Sequence, residues 1–257
     1  MIFKYRLLII FLSVYIFFPQ VSFSQNLGKL ELPSRNKGVS ELIIEHEGYT
    51  LSYNKNTNTP NWVAWELTAE ETQGTEPRSN DFLVDPKIPR NNQVTTYDYR
   101  GSGYDRGHMC PAGDMKWSRE AMTQCFYMSN MCPQNKTLNG GPWEKLESSC
   151  RRWAKQEGKI YIVCGPIFTK GKNTMTIGNE HRICIPDAFF KVVLSVRKGH
   201  EKAIGFIYKN DESRQTMGDN CCSVDEVEKI TGYDFFPSLN DDVERTVESS
   251  FKLSVWN

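Results

Sequence analysis

Three apolar segments in the C-terminal half restrict the fold more than any other feature: KIYIVCGPIF (159–168), ICIPDAFFKVVLSV (183–196) and KAIGFIY (202–208). They are rich in β-branched and aromatic residues, closely consecutive, and separated by polar or glycine-containing turns. That pattern predicts neighbouring core strands of an antiparallel sheet. Upstream, ELIIEHEGYTLSYN (41–54) alternates as strand, polar turn and strand, with 55–59 as an exposed hairpin tip. NTNTPNW reads as a loop and WVAWELT (62–68) as a further strand. SVDEVEKITG (223–232) has a serine cap and a terminating glycine, the marks of a short helix, and DDVERTVESSF (241–251) is a second helix candidate. There is no internal repeat, linker or break in composition beyond residue 24. The expectation is one α+β domain, a central antiparallel β-sheet flanked by helices, over residues 41–257.

Residues 1–24 do not belong to that domain. Lys4 and Arg6 precede the apolar run LLIIFLSVYIFF, and Ser22 and Ser24 have the small-residue spacing of a cleavage site. This is the pattern of a secretory signal, too short to remain as a membrane span. Residues 25–40 read as a flexible leader, and the mature chain is expected in the periplasm or outside the cell, with no membrane part. Removing 1–24 turns 31 basic and 31 acidic residues into 29 and 31. A nucleic-acid binder held by bulk charge is usually basic, so phosphate chemistry here must rest on a local cluster. Eight cysteines, all from Cys110 onward (110, 125, 132, 150, 164, 184, 221, 222), suggest two or more disulfides in an exported chain. No C-x-x-C occurs, which argues against a zinc ribbon or a thioredoxin-like site.

The middle of the chain carries the chemistry. Residues 73–102 are rich in Pro, Asn, Asp and Gly and read as a long surface loop, QVTTYDY (93–99) as a strand closing it, and CFYMSNM (125–131) as another strand. NGGPWEKLESSCRRWAKQEG (139–158) is the clearest helix, with Pro142 in its first turn, apolar residues at helical spacing and Gly158 at its end. DRGH (105–108), NMCPQ (130–134) and NGGPWEKLE (139–147) follow one another as strand, strand and helix. A histidine with oxygen-type ligands nearby suits a hard cation such as Mg²⁺. Hydrolysis of a phosphodiester needs a base for water, a charge on the phosphate and a proton for the leaving oxygen; a neutral imidazole and such a cation supply these. Arginine's planar fork matches two phosphate oxygens. On a continuous helix, Asn139 and Glu147 would lie ~12 Å apart along the axis, with azimuths differing by about 80°. That spacing favours direct ligation by Asn139 and a water-mediated role for Glu147.

These three ordered segments resemble the DNA/RNA non-specific endonucleases, the family of mitochondrial endonuclease G and the secreted sugar-non-specific nucleases. The likeness extends to HEGYTLSYN with PNWVAWELT upstream and VDEVEKITGYDFFPSL downstream. It implies a ββα-metal active site, with His108 as general base and Asn139 as the protein ligand of Mg²⁺, or of Mn²⁺ in its place. It further implies that Glu147 positions a water of the ion and that Asn130 helps hold the site. Arg106 and Arg151 would serve the phosphate or brace the site, and Arg78 is the candidate for an upstream phosphate-binding arginine. The substrates implied are DNA and RNA, cut to 5′-phosphate and 3′-hydroxyl ends, and homodimers occur among such proteins. Cys110 departs from the small apolar residue more usual before Pro111, and is either bridged or free. Two other functions compete: a non-catalytic module binding extracellular nucleic acid on the same fold, and a phosphoesterase for small nucleotides. The intact His, Asn and Glu argue against the first, while the long loop before DRGH suits either a groove or a closed pocket.

Overall fold

The computed structural model describes residues 29–169, 171 and 174–256. The signal segment and the first residues of the leader lie outside these. At the centre is a seven-stranded sheet, every neighbouring pair antiparallel. In spatial order it comprises β1 (Leu42–Glu45), β2 (Thr50–Asn54), β3 (Thr59–Thr68), β6 (Lys159–Ile167), β9 (Ala188–Ser195), β10 (Lys202–Lys209) and β11 (Cys221–Cys222). Two small ribbons complete the strands: β4 (Asp105–His108) with β5 (Met131–Gln134), and β7 (Thr176–Ile177) with β8 (Ile183–Cys184). The helices are α1 (Thr96–Tyr99), α2 (Arg119–Cys125), α3 (Lys136–Leu138), α4 (Glu144–Glu157), α5 (Met217–Asn220), α6 (Val224–Thr231) and α7 (Asp241–Glu248).

The central strands are buried on both sides, and their alternation divides the core in two. Val63, Trp65 and Leu67, with Ile160, Ile162, Cys164, Phe189 and Val193, pack against Leu146, Cys150 and Trp153 of α4 and the segments around β4 and β5. Trp62, Ala64, Tyr161, Val163, Phe190, Val192 and Leu194 pack against Val224 and Val227 of α6, Phe235 and Phe236. Each large apolar side chain buried in this way contributes roughly 1.5–3 kcal/mol. Among the described residues no helix is long and apolar enough to cross a membrane.

Several segments differ from their sequence reading, each for an identifiable reason. Within the expected flexible leader, residues 29–40 are held in place: Leu30 is buried in the second core, and the Ser34 amide donates to the Asp234 carbonyl at 2.8 Å. QVTTYDY is not a strand. Thr95 and Asp98 form a reciprocal capping box that starts α1, and the Asp98 carboxylate also accepts from the Glu180 and His181 amides. CFYMSNM is divided between the end of α2, capped by Ser118, and a 3₁₀ turn at Met128–Asn130, so that the second ribbon strand begins only at Met131. The helix 139–158 is interrupted: Gly141 has non-helical φ and ψ (−135°, −105°), and the regular α4 starts at Glu144. The proposed disulfides are not formed. All eight cysteines are free, and the five from Cys110 to Cys164 are buried as small apolar side chains within the packing. The long loop is pinned as expected, with Leu83 bridged to Tyr127 and the Asp85 carboxylate held by His46 and Ser129.

Candidate active site

The site begins with the register of the β4–β5 ribbon. Gly107 lies opposite Cys132, and a Cβ there would meet the Gln134 side chain at 2.2 Å, so the strands approach this closely only with glycine at that position. The ribbon therefore places Arg106 and His108 on either side of an obligatory glycine. Beyond His108 the chain is clamped by Asn130, which is 0% exposed. Its Oδ1 accepts from the Cys110 amide, and its Nδ2 donates to the carbonyls of Cys110 and Cys125, at 2.8–2.9 Å. Asn130 thus has its side-chain capacity spent on backbone and does not reach the cleft. Its place is that of a brace rather than a reacting group. The Trp143 indole donates to the His108 carbonyl at 3.4 Å, tying the start of the helix to the same strand.

A cleft of about 800 Å³ opens over this ribbon. Arg78, Arg106, His108, Asn139, Glu147 and Arg151 all line it, so six of the seven candidate residues come together there. The His108 wall is aromatic. Its imidazole lies 4.8 Å from the Phe126 ring and 5.7 Å from that of Phe82, while the Arg106 guanidinium stacks at 4.0 Å over Phe82 and Arg78 at 4.9 Å over Phe126. Burial first, then the charges of Arg78 and Arg106, push His108 down to about 3, so the imidazole is neutral throughout the neutral range. Its Nε2 is buried and has no hydrogen-bond partner among the described residues.

The opposite wall is polar. Asn139 donates its Nδ2 to Asp105 at 3.0 Å, which leaves its side-chain oxygen as the atom available to a cation. Burial pushes Glu147 up to about 7; Lys191 opposes the rise and Asp114 reinforces it. Arg151 forms an ion pair at 2.9 Å with Asp114, which is 0% exposed and also accepts from the Trp65 indole. Arg151 is therefore held by a buried carboxylate while one edge lines the cleft. Behind this wall Lys191 is completely buried, with Nζ 4.5 Å from the Trp143 ring and 5.3 Å from that of Trp65. Burial works against its charge, whereas the carboxylates of Glu147 and Asp114 favour it, and its Nζ has no hydrogen-bond partner among the described residues. A neutral amide oxygen and a carboxylate near its midpoint form a sparse, hard donor set, which fits a hydrated Mg²⁺.

Sequence reasoning missed Arg100, Phe82 and Lys191. The first two line the cleft, and Arg100 rests over the Tyr97 ring at 5.4 Å. Arg100 lies five residues before DRGH and was legible as a nearby charge. Phe82 and Lys191 had no local signal, because the fold brings them in from a loop and a core strand. Cys110, the flagged departure, is a free thiol pushed well above its ordinary value by burial.

The chain is similar to known proteins in sequence and in fold. The sequence model of the family described as DNA/RNA non-specific endonuclease matches residues 28–242. The chain is 36% identical over 212 residues to the mitochondrial nuclease EXOG of Xenopus laevis, covering 77% of this chain and 59% of that protein. It is 34% identical over 216 residues to nuclease C1 of Cunninghamella echinulata var. echinulata, covering 79% of this chain and 86% of that protein. Its fold is similar to a chain in the crystal structure of the EndoG/EndoGI complex, with a TM-score of 0.74 and 28% identity, covering 82% of this chain and 90% of that one.

Proposed function

The chain belongs to the DNA/RNA non-specific endonuclease family, and from that premise we propose that it is an exported, Mg²⁺-dependent endonuclease acting on both DNA and RNA. The observation that carries this reading is the convergence of His108, Asn139, Glu147 and the arginines on one cleft. Arg78 and Arg106 bind the scissile phosphate from the aromatic wall and orient it, aided by Arg100. Contacts of this kind fall on the backbone and not on base edges, so they carry no sequence preference. His108 takes a proton from water as the water oxygen bonds to phosphorus. The P–O3′ bond then breaks, leaving a 5′-phosphate, and the departing oxygen takes a proton to become a 3′-hydroxyl.

The low affinity of His108 for a proton in the empty cleft is consistent with this role. A bound phosphate cancels part of the charge of Arg78 and Arg106, which raises the imidazole toward a useful basicity. The Asn139 side-chain oxygen and Glu147 would hold Mg²⁺, which when bound would supply charge neutralisation for the phosphate and the leaving oxygen. Trp143 positions His108 through its carbonyl and Asn130 through the backbone of Cys110, two residues on, and the Asp114–Arg151 pair fixes the Glu147 wall.

The test is cleavage of plasmid DNA and total RNA by residues 25–257, with Mg²⁺ and with EDTA, beside His108→Ala. The expected outcome is cleavage of both substrates that is abolished by EDTA and by the substitution. Intact substrates in the presence of Mg²⁺ would leave a non-catalytic nucleic-acid-binding module as the better reading.

A further inference from the structure

On the face of the sheet away from the cleft, α6 and α7 bring acidic side chains together. Among the described residues, Asp225, Glu228 and Glu248 are the His, Cys, Asp or Glu side chains that converge closely enough to share an ion, with one carboxylate oxygen of each within 4.8 Å of the others. Asp225 is exposed, Glu228 partly buried and Glu248 buried, so the group forms a shallow socket whose floor is a carboxylate. Glu248 is 5% exposed, and its Oε1 is buried without a hydrogen-bond partner. A buried carboxylate oxygen left in that condition costs free energy unless something compensates it. Glu228 is fixed by accepting from the Phe235 amide at 2.7 Å, so two ligands stand on structured backbone.

We propose that Asp225, Glu228 and Glu248 form a second, non-catalytic site for a hard divalent cation, best matched by Ca²⁺. Two oxygens bound to one Ca²⁺ at ~2.4 Å can be no more than ~4.8 Å apart, a limit that all three pairs of the trio meet. Ca²⁺ accepts several carboxylate oxygens in flexible geometry, whereas Mg²⁺ demands a near-ideal octahedron and keeps most of its waters. Because Glu248 lies beyond residues 28–242, where the family model matches, the site ties the C-terminal helix of this chain to α6.

The experiment is thermal unfolding of the full mature chain with added CaCl₂, for wild type, Glu248→Gln, Asp225→Asn and Asn139→Ala. A saturating rise of roughly 5 °C is expected in wild type, since a ligand that binds only the folded state stabilises it. The rise should persist in Asn139→Ala, which alters the cleft, vanish in Glu248→Gln and need about tenfold more Ca²⁺ in the surface variant Asp225→Asn. An equal rise in Glu248→Gln, or loss of the rise in Asn139→Ala, would assign the ion to the cleft and overturn the proposal. So would no rise in wild type combined with a more stable Glu248→Gln, because Glu248 would then be a buried, protonated acid and nothing more.

Discussion

The two faces of the central sheet are built from the same strands but not from the same chemistry. The face beneath α6 and α7 is closed mainly with hydrocarbon and rings, including Trp62, Phe190, Phe235 and Phe236, with the Glu248 carboxyl buried on α7. The face beneath α4 encloses a lysine, an aspartate and several thiols among its tryptophans, and it supports a cleft whose histidine and glutamate are both displaced from their ordinary proton affinities. Side by side they separate two uses of a core. One fixes the fold at low risk, and the other accepts buried charge so that groups on its outer surface are held where reaction requires them.

Substitutions can separate these uses. The largest effect expected is on the cleft: His108→Ala should lower the initial rate of plasmid cleavage by ~10³-fold while leaving the melting temperature nearly unchanged. On the other face Phe235→Ala should remove about 3–5 kcal/mol of stability in urea unfolding, with kcat per folded molecule unaltered. A fall in kcat there would mean that the faces are not independent. Lys191→Met sharpens the contrast further. Removing one charge from a buried cluster that keeps the Glu147 and Asp114 carboxylates should lower stability, read as a lower urea midpoint. It should also release Glu147 to rise further, moving the acidic limb of the pH–rate profile to higher pH and costing about tenfold in kcat at pH 7.

The smallest expected effect is on stability against pH. His108, with its folded value lowered, contributes stability above its unfolded value of ~6.5 that is lost as pH falls toward 3. Glu147, with its folded value raised, acts in reverse: its contribution is full below its unfolded value and declines as pH rises through 7. Glu147→Gln should therefore steepen the gain in stability between pH 4.5 and 6.5, measured by urea midpoints, because the opposing slope has been removed.

The sheet and the motif-bearing strands were legible because their signals are local. The apolar runs 159–168, 183–196 and 202–208 contain β6, β9 and β10, and Ser223 caps α6 with Glu226 as its reciprocal partner. Five of the six candidate residues that line the cleft do so for a related reason: DRGH and the helix segment 139–158 position their own side chains, while Arg78 comes from the long loop. What was not legible depends on distance. Thr95 and Thr96 in QVTTYDY have the alternation of a strand, but the Asp98 side chain decides for a helical turn and then binds a loop more than eighty residues away. The cysteine pattern suggested bridges, yet whether two thiols meet depends on packing that no spacing encodes. Lys191 reads as one polar residue in an apolar strand. Only the fold shows it wedged between two indoles behind Glu147.

The eight unpaired thiols have a consequence for the cell that makes this protein. No pair of thiols is bridged in this fold, so a reducing medium has no disulfide in it to break. Nothing in the packing around these thiols ties the folded state to an oxidising compartment.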